Sequence, residues 1–525
     1  MELSFLTHAL IVSLSKTSRP SGESGDTISI SRTVSALALL YERIRVAIEY
    51  REDHLLRRAA IERIIKRRLI LNENGRGIAE YLLKELLWAK YLPEDSVPVY
   101  KINEVQTTVD KFIFLRNELT RGRALKEQTE LSEWLISSAA AEVEQKLVPS
   151  QVREAFINFI FKYYQTRVFL KDETDRTKDI QVYIAVHRAF AKSDNDFIRY
   201  ELLKLSLPAI QNATWKELKD QTQRIYQTLQ NIQKHLTHKL GGKLAKSLKK
   251  EIAPFLILRE LYEENPNEFE KILSDPKLVE QRVDTICRRR YEAIGRRLVR
   301  AGTRSIIYIF ITKMLFAFAL EYPYEKYYLT RVNYISLTIN TVFPPILMFL
   351  VLIGVSAPGE DNTKRIVSRI KDIVYHGQHD VNKISLALTT PQRRPVLLFI
   401  FSLVYTATFL LVFGSISVGL TLLHFSITSQ LVFIFFVSVV LFFAYRVRQT
   451  GKEYNITQKE SFLSPVISFV LLPILNVGKW LSNEIARFNF FVALFDFVIE
   501  APFKAIFEIF EEWFAFLRRK KEEIL

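Results

Sequence analysis

The sequence predicts an all-α protein in two parts. A cytosolic helical domain is followed by a multi-pass α-helical membrane domain, which ends in an amphipathic C-terminal helix. Three observations predict this. Up to Arg304 apolar residues recur at spacings of three and four, and no stretch alternates with the period of a strand. From Ser305 onward there are long runs with almost no charge. Between the two, Arg288, Arg289, Arg290, Arg296, Arg297, Arg300 and Arg304 are offset only by Glu292.

The order of elements follows from punctuation. Residues 1–30 read as a tail and linker. MELSFLTHALIVSLSK has an apolar patch at 9–14 but no basic leader and no cleavage site, and TSRPSGESGDT is a polar Gly/Ser/Pro run. Residues 31–304 read as a basic helical domain. Its first helix spans 31–71 without proline or glycine, and Arg57, Arg58, Arg63, Lys66, Arg67 and Arg68 crowd its last third. Further helical patterns occupy 76–91, 105–119, 130–145, 150–169, 178–191, 196–205, 215–237, 242–263 and 266–273, separated by Gly, Pro and Asn signals.

The net charge of +16 is unevenly shared, since residues 1–304 hold 52 of the 73 Lys and Arg but 41 of the 57 Asp and Glu. Such a chain is drawn to anionic partners, and anionic lipid ranks above nucleic acid once the basic part is tethered to a bilayer. The single Cys287 excludes an intrachain disulfide and any Cys-based zinc site.

No catalytic constellation stands out. Walker A, GxGxxG, GxSxG and HEXXH runs are absent. His235/His238 and His376/His379 have a spacing that reaches one metal on a helix, but only Asp380 offers a third ligand, so solvent-facing histidines are expected. His187, within IAVHRAFAKSD, reads as a hydrogen-bonded core residue. Gly241-Gly242 reads as a turn rather than an anion cradle. Neither a cofactor nor a metal is implied.

The membrane domain, 305–478, has spans at 305–320, 334–355, 395–423 and 428–445, and a fifth candidate at 462–478 carrying Pro465 and Pro473. The first is short and holds Lys313, which either snorkels or lines a polar interior. The arginine cluster beside it places the helical domain in the cytosol, and basic loops at 356–394 and 446–461 agree. Gly414 and Gly419 are candidates for close helix packing. Ile366, Ile370, Ile373 and Val374 share one face of a loop helix, suited to a membrane surface or to packing on the helical domain.

Residues 479–525 form a Phe-rich region in which Asp496, Glu500, Lys504, Glu508 and Glu512 recur every four residues. Four ionisable groups near a bilayer centre cost roughly 10 kcal/mol, while about fifteen apolar side chains return roughly 5–9 kcal/mol. The charges sweep roughly 160° of the helix. The sequence therefore favours a helix lying on the cytosolic face, with a span inside the bundle as the alternative. Arg518–Lys521 keeps the C-terminus cytosolic in both cases.

The stretches YERIRVAIEYREDHLLRRAAIERIIKRRL, IAVHRAFAKSD and RSIIYIFITKMLFAFALEYPYE, with the Phe-rich end, resemble an uncharacterised group of bacterial multi-pass membrane proteins of candidate-phyla type. The resemblance implies a bacterial cytoplasmic (inner) membrane and brings no activity or residue role.

Two functions compete. The first is a membrane-anchored scaffold or interaction protein whose helical domain meets a cytosolic protein partner. In this reading Arg57, Arg58, Arg288, Arg289, Arg290, Arg296 and Arg297 face anionic lipid or an acidic partner, with a ribosome or nucleic acid ranked lower. The second is a transporter or channel using Lys313, Asp496, Glu500, Lys504 and Glu508. An intramembrane enzyme ranks below both.

Overall fold

Helix starts follow caps already present in the chain. The computed structural model describes residues 2–16, 26–28, 53–72, 74–170, 173–327, 332–353, 358–376, 395–451, 454–456, 464–487 and 513. Among them every regular element is helical, apart from an isolated bridge between Thr27 and Pro98. The described chain divides into two units, one built mainly from residues 5–248 and the other from residues 2–4 and the described part of 249–487.

The first unit holds α1 (Phe5–Ser15), α2 (Asp53–Leu71), α3 (Ile78–Trp88), α4 (Lys101–Thr120), α5 (Leu125–Leu147), α6 (Gln151–Gln165), α7 (Asp175–Ala189), α8 (Asn195–Ser206), α9 (Thr222–Leu236) and most of α10 (Gly241–Glu251). The Thr174 hydroxyl accepts from Thr177 N at 3.2 Å to start α7, and the Asp194 carboxylate accepts from Phe197 N at 2.9 Å to start α8. Gly77, at φ 73°, makes the left-handed turn ahead of α3. Helix α5 is the centre of the unit. From Leu135 to Glu144 every residue is buried, and α2, α4 and α8 pack around it. The Ala139–Ala141 run keeps that crowded stretch thin.

The tail expected at 1–30 contains a core helix. Leu6, Leu10, Ile11 and Leu14 form a stripe at three-and-four spacing that packs α1 onto α6. The single helix expected at 242–263 is two, because Pro254 has no N–H to donate backward and restarts the chain as α11 (Ala253–Glu264).

The second unit continues with α12 (Phe269–Ser274), α13 (Pro276–Tyr327), α14 (Tyr334–Ile353), α15 (Glu360–Lys371), α16 (Pro395–Leu422), α17 (Ile427–Gly451) and α18 (Ser464–Arg487). Asp275 caps α13 through Lys277 N at 2.9 Å, with Pro276 at its first turn. The division expected at residue 304 falls inside α13, which carries the chain unbroken from arginine-rich to apolar sequence.

Nor does the first apolar run stop at 320. Pro323 cannot supply a helical N–H, and a π turn at Ala317–Glu321 absorbs the defect through Tyr322 N to Ala317 O, so α13 reaches Tyr327. Glu321 and Glu325, beyond the span expected at 305–320, lie on this helix.

Helix α15 resolves the loop alternatives. Ile366, Ile370, Ile373 and Val374 are buried, and α15 packs on α11 and α13. Arg369 pairs with Glu251 at 3.1 Å, and Lys371 with Glu280 at 2.7 Å. Asn362 ties α15 to Tyr291 OH at 2.8 Å and to Tyr454 O at 2.7 Å.

The close helix approaches are not at Gly414 or Gly419, where a Cβ would meet open space. They are at Gly478, where a Cβ would overlap the Ser438 carbonyl of α17, and at Gly302, where it would press on Leu352. The fifth apolar stretch is thus part of α18, packed along α17 and α16 despite Pro473. The Phe-rich stretch at 488–510 lies outside the described residues.

Candidate functional site

The seam between α13, α14 and α17 is built from the few polar residues that the apolar sequence leaves there. Lys313 stands in an apolar run and is fully buried. In an unbroken α-helix it would be turned roughly 80° from Glu321. The five-residue π turn advances less per residue and brings the two to nearly the same face. The Lys313 ammonium donates to Glu321 Oε1 and stands 4.4 Å from the centre of the Phe436 ring.

The other carboxylate oxygen, Glu321 Oε2, accepts from Asn340 Nδ2 at 3.2 Å. The same amide nitrogen donates to Ser429 O at 3.2 Å. Both partners are acceptors, so they fix which end of the amide carries the protons. Ser429 Oγ in turn donates to Glu325 Oε1 at 2.9 Å, and Asn333 N to Glu325 Oε2 at 3.0 Å. Asn333 also caps α14, its Oδ1 accepting from Ile335 N and Ser336 N. The result is a continuous polar chain from Lys313 through Glu321, Asn340 and Ser429 to Glu325.

Two features of the chain matter chemically. It holds one ammonium and two carboxylates, and Glu325, only 3% exposed, has hydrogen bonds but no cationic partner among the described residues. Two oxygens, Asn340 Oδ1 and Ser336 Oγ, are buried without a hydrogen-bond partner. Of these groups the sequence points only to Lys313. Glu321 and Glu325 stand eight and twelve residues beyond it, past the end of the apolar run at 320.

The arginines are placed differently from one another. Arg57 and Arg58 lie inside the helical unit. Arg57 reaches Glu144 at 3.3 Å and Tyr91 O at 3.2 Å, while Arg58 is buried against Asp194 and the Phe197 ring. They serve the domain's own core because α2 turns this face toward α5. Arg289 and Arg290 pair with Glu260 of α11. Arg288 pairs with Asp284 at 2.8 Å while remaining largely exposed. Arg296, Arg297, Arg300 and Arg304 lie exposed along the polar half of α13. Asp496, Glu500, Lys504 and Glu508 lie outside the described residues.

The helical unit has its own buried ionic cluster. Lys111 Nζ donates to both oxygens of Glu142, at 2.7 and 2.8 Å, and to Ile210 O at 2.7 Å. Lys146 joins the same carboxylate at 3.0 Å. Burial pulls the Lys111 pKa down, and the charge of Glu142 opposes that fall. His187 is also buried, its Nδ1 3.3 Å from Ser193 Oγ, and burial lowers its pKa to about 4. His238 faces Glu173 at 3.1 Å. At Gly241 a Cβ would press on Gln181 and Arg188, so the glycine serves packing.

Fold and site together define a class: an all-α protein in which, among the described residues, four helices, α13, α14, α16 and α17, are long and apolar enough to cross a membrane. No known family, curated protein or solved structure matches this chain.

Proposed function

We propose that the chain is a multi-pass protein of a bacterial cytoplasmic membrane that presents its helical domain on the cytosolic side as an anchored interaction protein. The observation that carries this is α13. One helix runs from a polar half bearing exposed Arg296, Arg297, Arg300 and Arg304 into an apolar half long enough to span. Basic residues at a span's edge stay on the cytosolic side and meet anionic headgroups, at about 1 kcal/mol each.

Topology is tested in a Cys287→Ala background with an impermeant thiol reagent on intact cells. His424→Cys is expected to label from outside, and Val299→Cys only after permeabilisation. The reverse pattern overturns the orientation, and release of the chain by alkaline extraction overturns membrane insertion. The interaction role predicts that the full chain, extracted in mild detergent, retains a stoichiometric partner that Arg296→Glu with Arg300→Glu removes. A chain isolated alone, before and after that change, ends the scaffold reading.

A second reading, transport, is favoured by one observation: the Lys313–Glu321 pair and its polar chain inside an apolar bundle.

A further inference from the structure

We propose that the polar seam of α13, α14 and α17 is a binding site for one exchangeable monovalent cation, a proton or a sodium ion, taken up beside Glu325 and Asn340. The proposal deepens the transport reading by naming its ion, and it rests on that reading.

Charge is the first argument. Lys313 neutralises Glu321, with which it pairs directly. Glu325 sits one helical turn further along the same helix, so the two carboxylates are like-charged neighbours. Its own partners are a hydroxyl and a backbone N–H. These stabilise a charge but do not neutralise it. An uncompensated carboxylate taken out of water costs several kcal/mol. Among the described residues the seam therefore carries one negative charge in excess, and one bound cation removes it.

The second argument is the pair of unpartnered oxygens. Asn340 Oδ1 cannot turn its amide around, because Nδ2 is held by Glu321 Oε2 and Ser429 O. Its oxygen is left buried with nothing to accept from. Ser336 Oγ is buried in the same state. Asn333, the cap of α14, and Ser336 and Asn340 within it stand at i, i+3 and i+7, on one face. Asn333 anchors Glu325 and Asn340 anchors Glu321, so Ser336 lies between the two carboxylates along the helix. Buried oxygens flanking an excess negative charge are what a hard cation requires.

The donor set also selects the ion. All candidate ligands are oxygens, and the excess charge is one. Lys313 repels a second positive charge. No group of three or more His, Cys, Asp or Glu residues able to hold a metal ion occurs among the described residues, so a divalent ion lacks its usual ligands. When the ion is a proton it forms an O–H bond on the Glu325 carboxylate, and no other bond changes. When it is sodium, the carboxylate stays ionised and the ion is held by the oxygens alone.

The test uses the full chain in detergent, with melting followed in sodium chloride and in choline chloride at equal ionic strength, and with the infrared carbonyl band of a protonated carboxyl recorded at neutral pH. Sodium at about ten times its dissociation constant is expected to raise Tm by roughly 2–4 °C over choline. Glu325→Gln abolishes that difference, and Ser336→Ala shifts it to higher sodium. A proton as the ion gives no sodium effect but a protonated-carboxyl band that Glu325→Gln removes and Glu325→Asp moves. If Glu325→Gln fails to fold, Ser336→Ala decides the sodium arm and Glu325→Asp the proton arm. Absence of both the sodium effect and the band overturns the proposal. The topology labelling at 299 and 424 is independent of ion binding, so loss of the site and loss of the membrane reading are separate results.

Discussion

Each unit of this protein buries a lysine on a glutamate, and the two surroundings differ. In the helical unit Glu142 is met by Lys111, Lys146 and Thr108, and Lys111 is completed by a backbone carbonyl. Positive charge there outweighs negative, and both carboxylate oxygens of Glu142 accept from Lys111. In the apolar bundle Lys313 meets one of two glutamates, and amide and hydroxyl oxygens nearby are left without partners. The first arrangement needs no further cation. The second is finished only by something added. A buried ion pair thus reports function through its surplus, not through its existence.

The largest effect that would sharpen this contrast is in the helical unit. Lys111→Met leaves Glu142 with a single, partly exposed lysine and is expected to cost about 3–5 kcal/mol, while Lys111→Met with Glu142→Met recovers most of that loss. Thermal unfolding of the purified chain followed by near-UV circular dichroism reads both. Equal losses in the single and double variants would break the comparison.

Next in size is the acid response of the same unit. The folded pKa of His187, about 4, lies below its unfolded value near 6.5. The unfolded state therefore binds the proton first. The stability due to neutral burial is complete above pH 6.5 and is lost as pH falls toward 4, by about 3 kcal/mol. His187→Gln is expected to flatten that part of the pH–stability curve, and an unchanged slope would show that the imidazole is not the group responsible.

Smaller effects test packing in the bundle. Gly478→Ala drives a methyl into the Ser438 carbonyl and is expected to cost about 1–3 kcal/mol, seen as a lower Tm in detergent. Gly414→Ala, with open space around it, stays within about 0.5 kcal/mol. If the two behave alike, α18 does not pack along α17 as described.

Much of the architecture is legible in the sequence, because hydrophobic period and run length are local properties. The three-and-four spacing before Arg304 and the uncharged runs after Ser305 are enough to predict an all-α chain with long apolar helices. The positions of α14, α16 and α17 follow from run length alone. Local reading fails where one residue has two consequences. The apolar run ends at 320, yet a π turn carries α13 past Pro323 and sets Glu321 onto the face of Lys313. Arg57 and Arg58 read as contacts for anionic lipid or an acidic partner, yet their face of α2 turns toward Glu144 of α5 and Asp194 at the start of α8. Gly414 and Gly478 are indistinguishable as letters, and only the neighbouring helix decides which one is needed.

What the sequence determined by itself was therefore composition along the chain: which segments are helical, which are apolar, and where the basic charge collects. The tertiary structure decided which polar groups meet. The partners in the seam lie as far as 116 residues apart in sequence, from Lys313 to Ser429, and no local rule joins them. The physical reason is that helix formation depends on neighbours within a turn or two. Pairing of buried charge depends on which faces the packed helices present to one another.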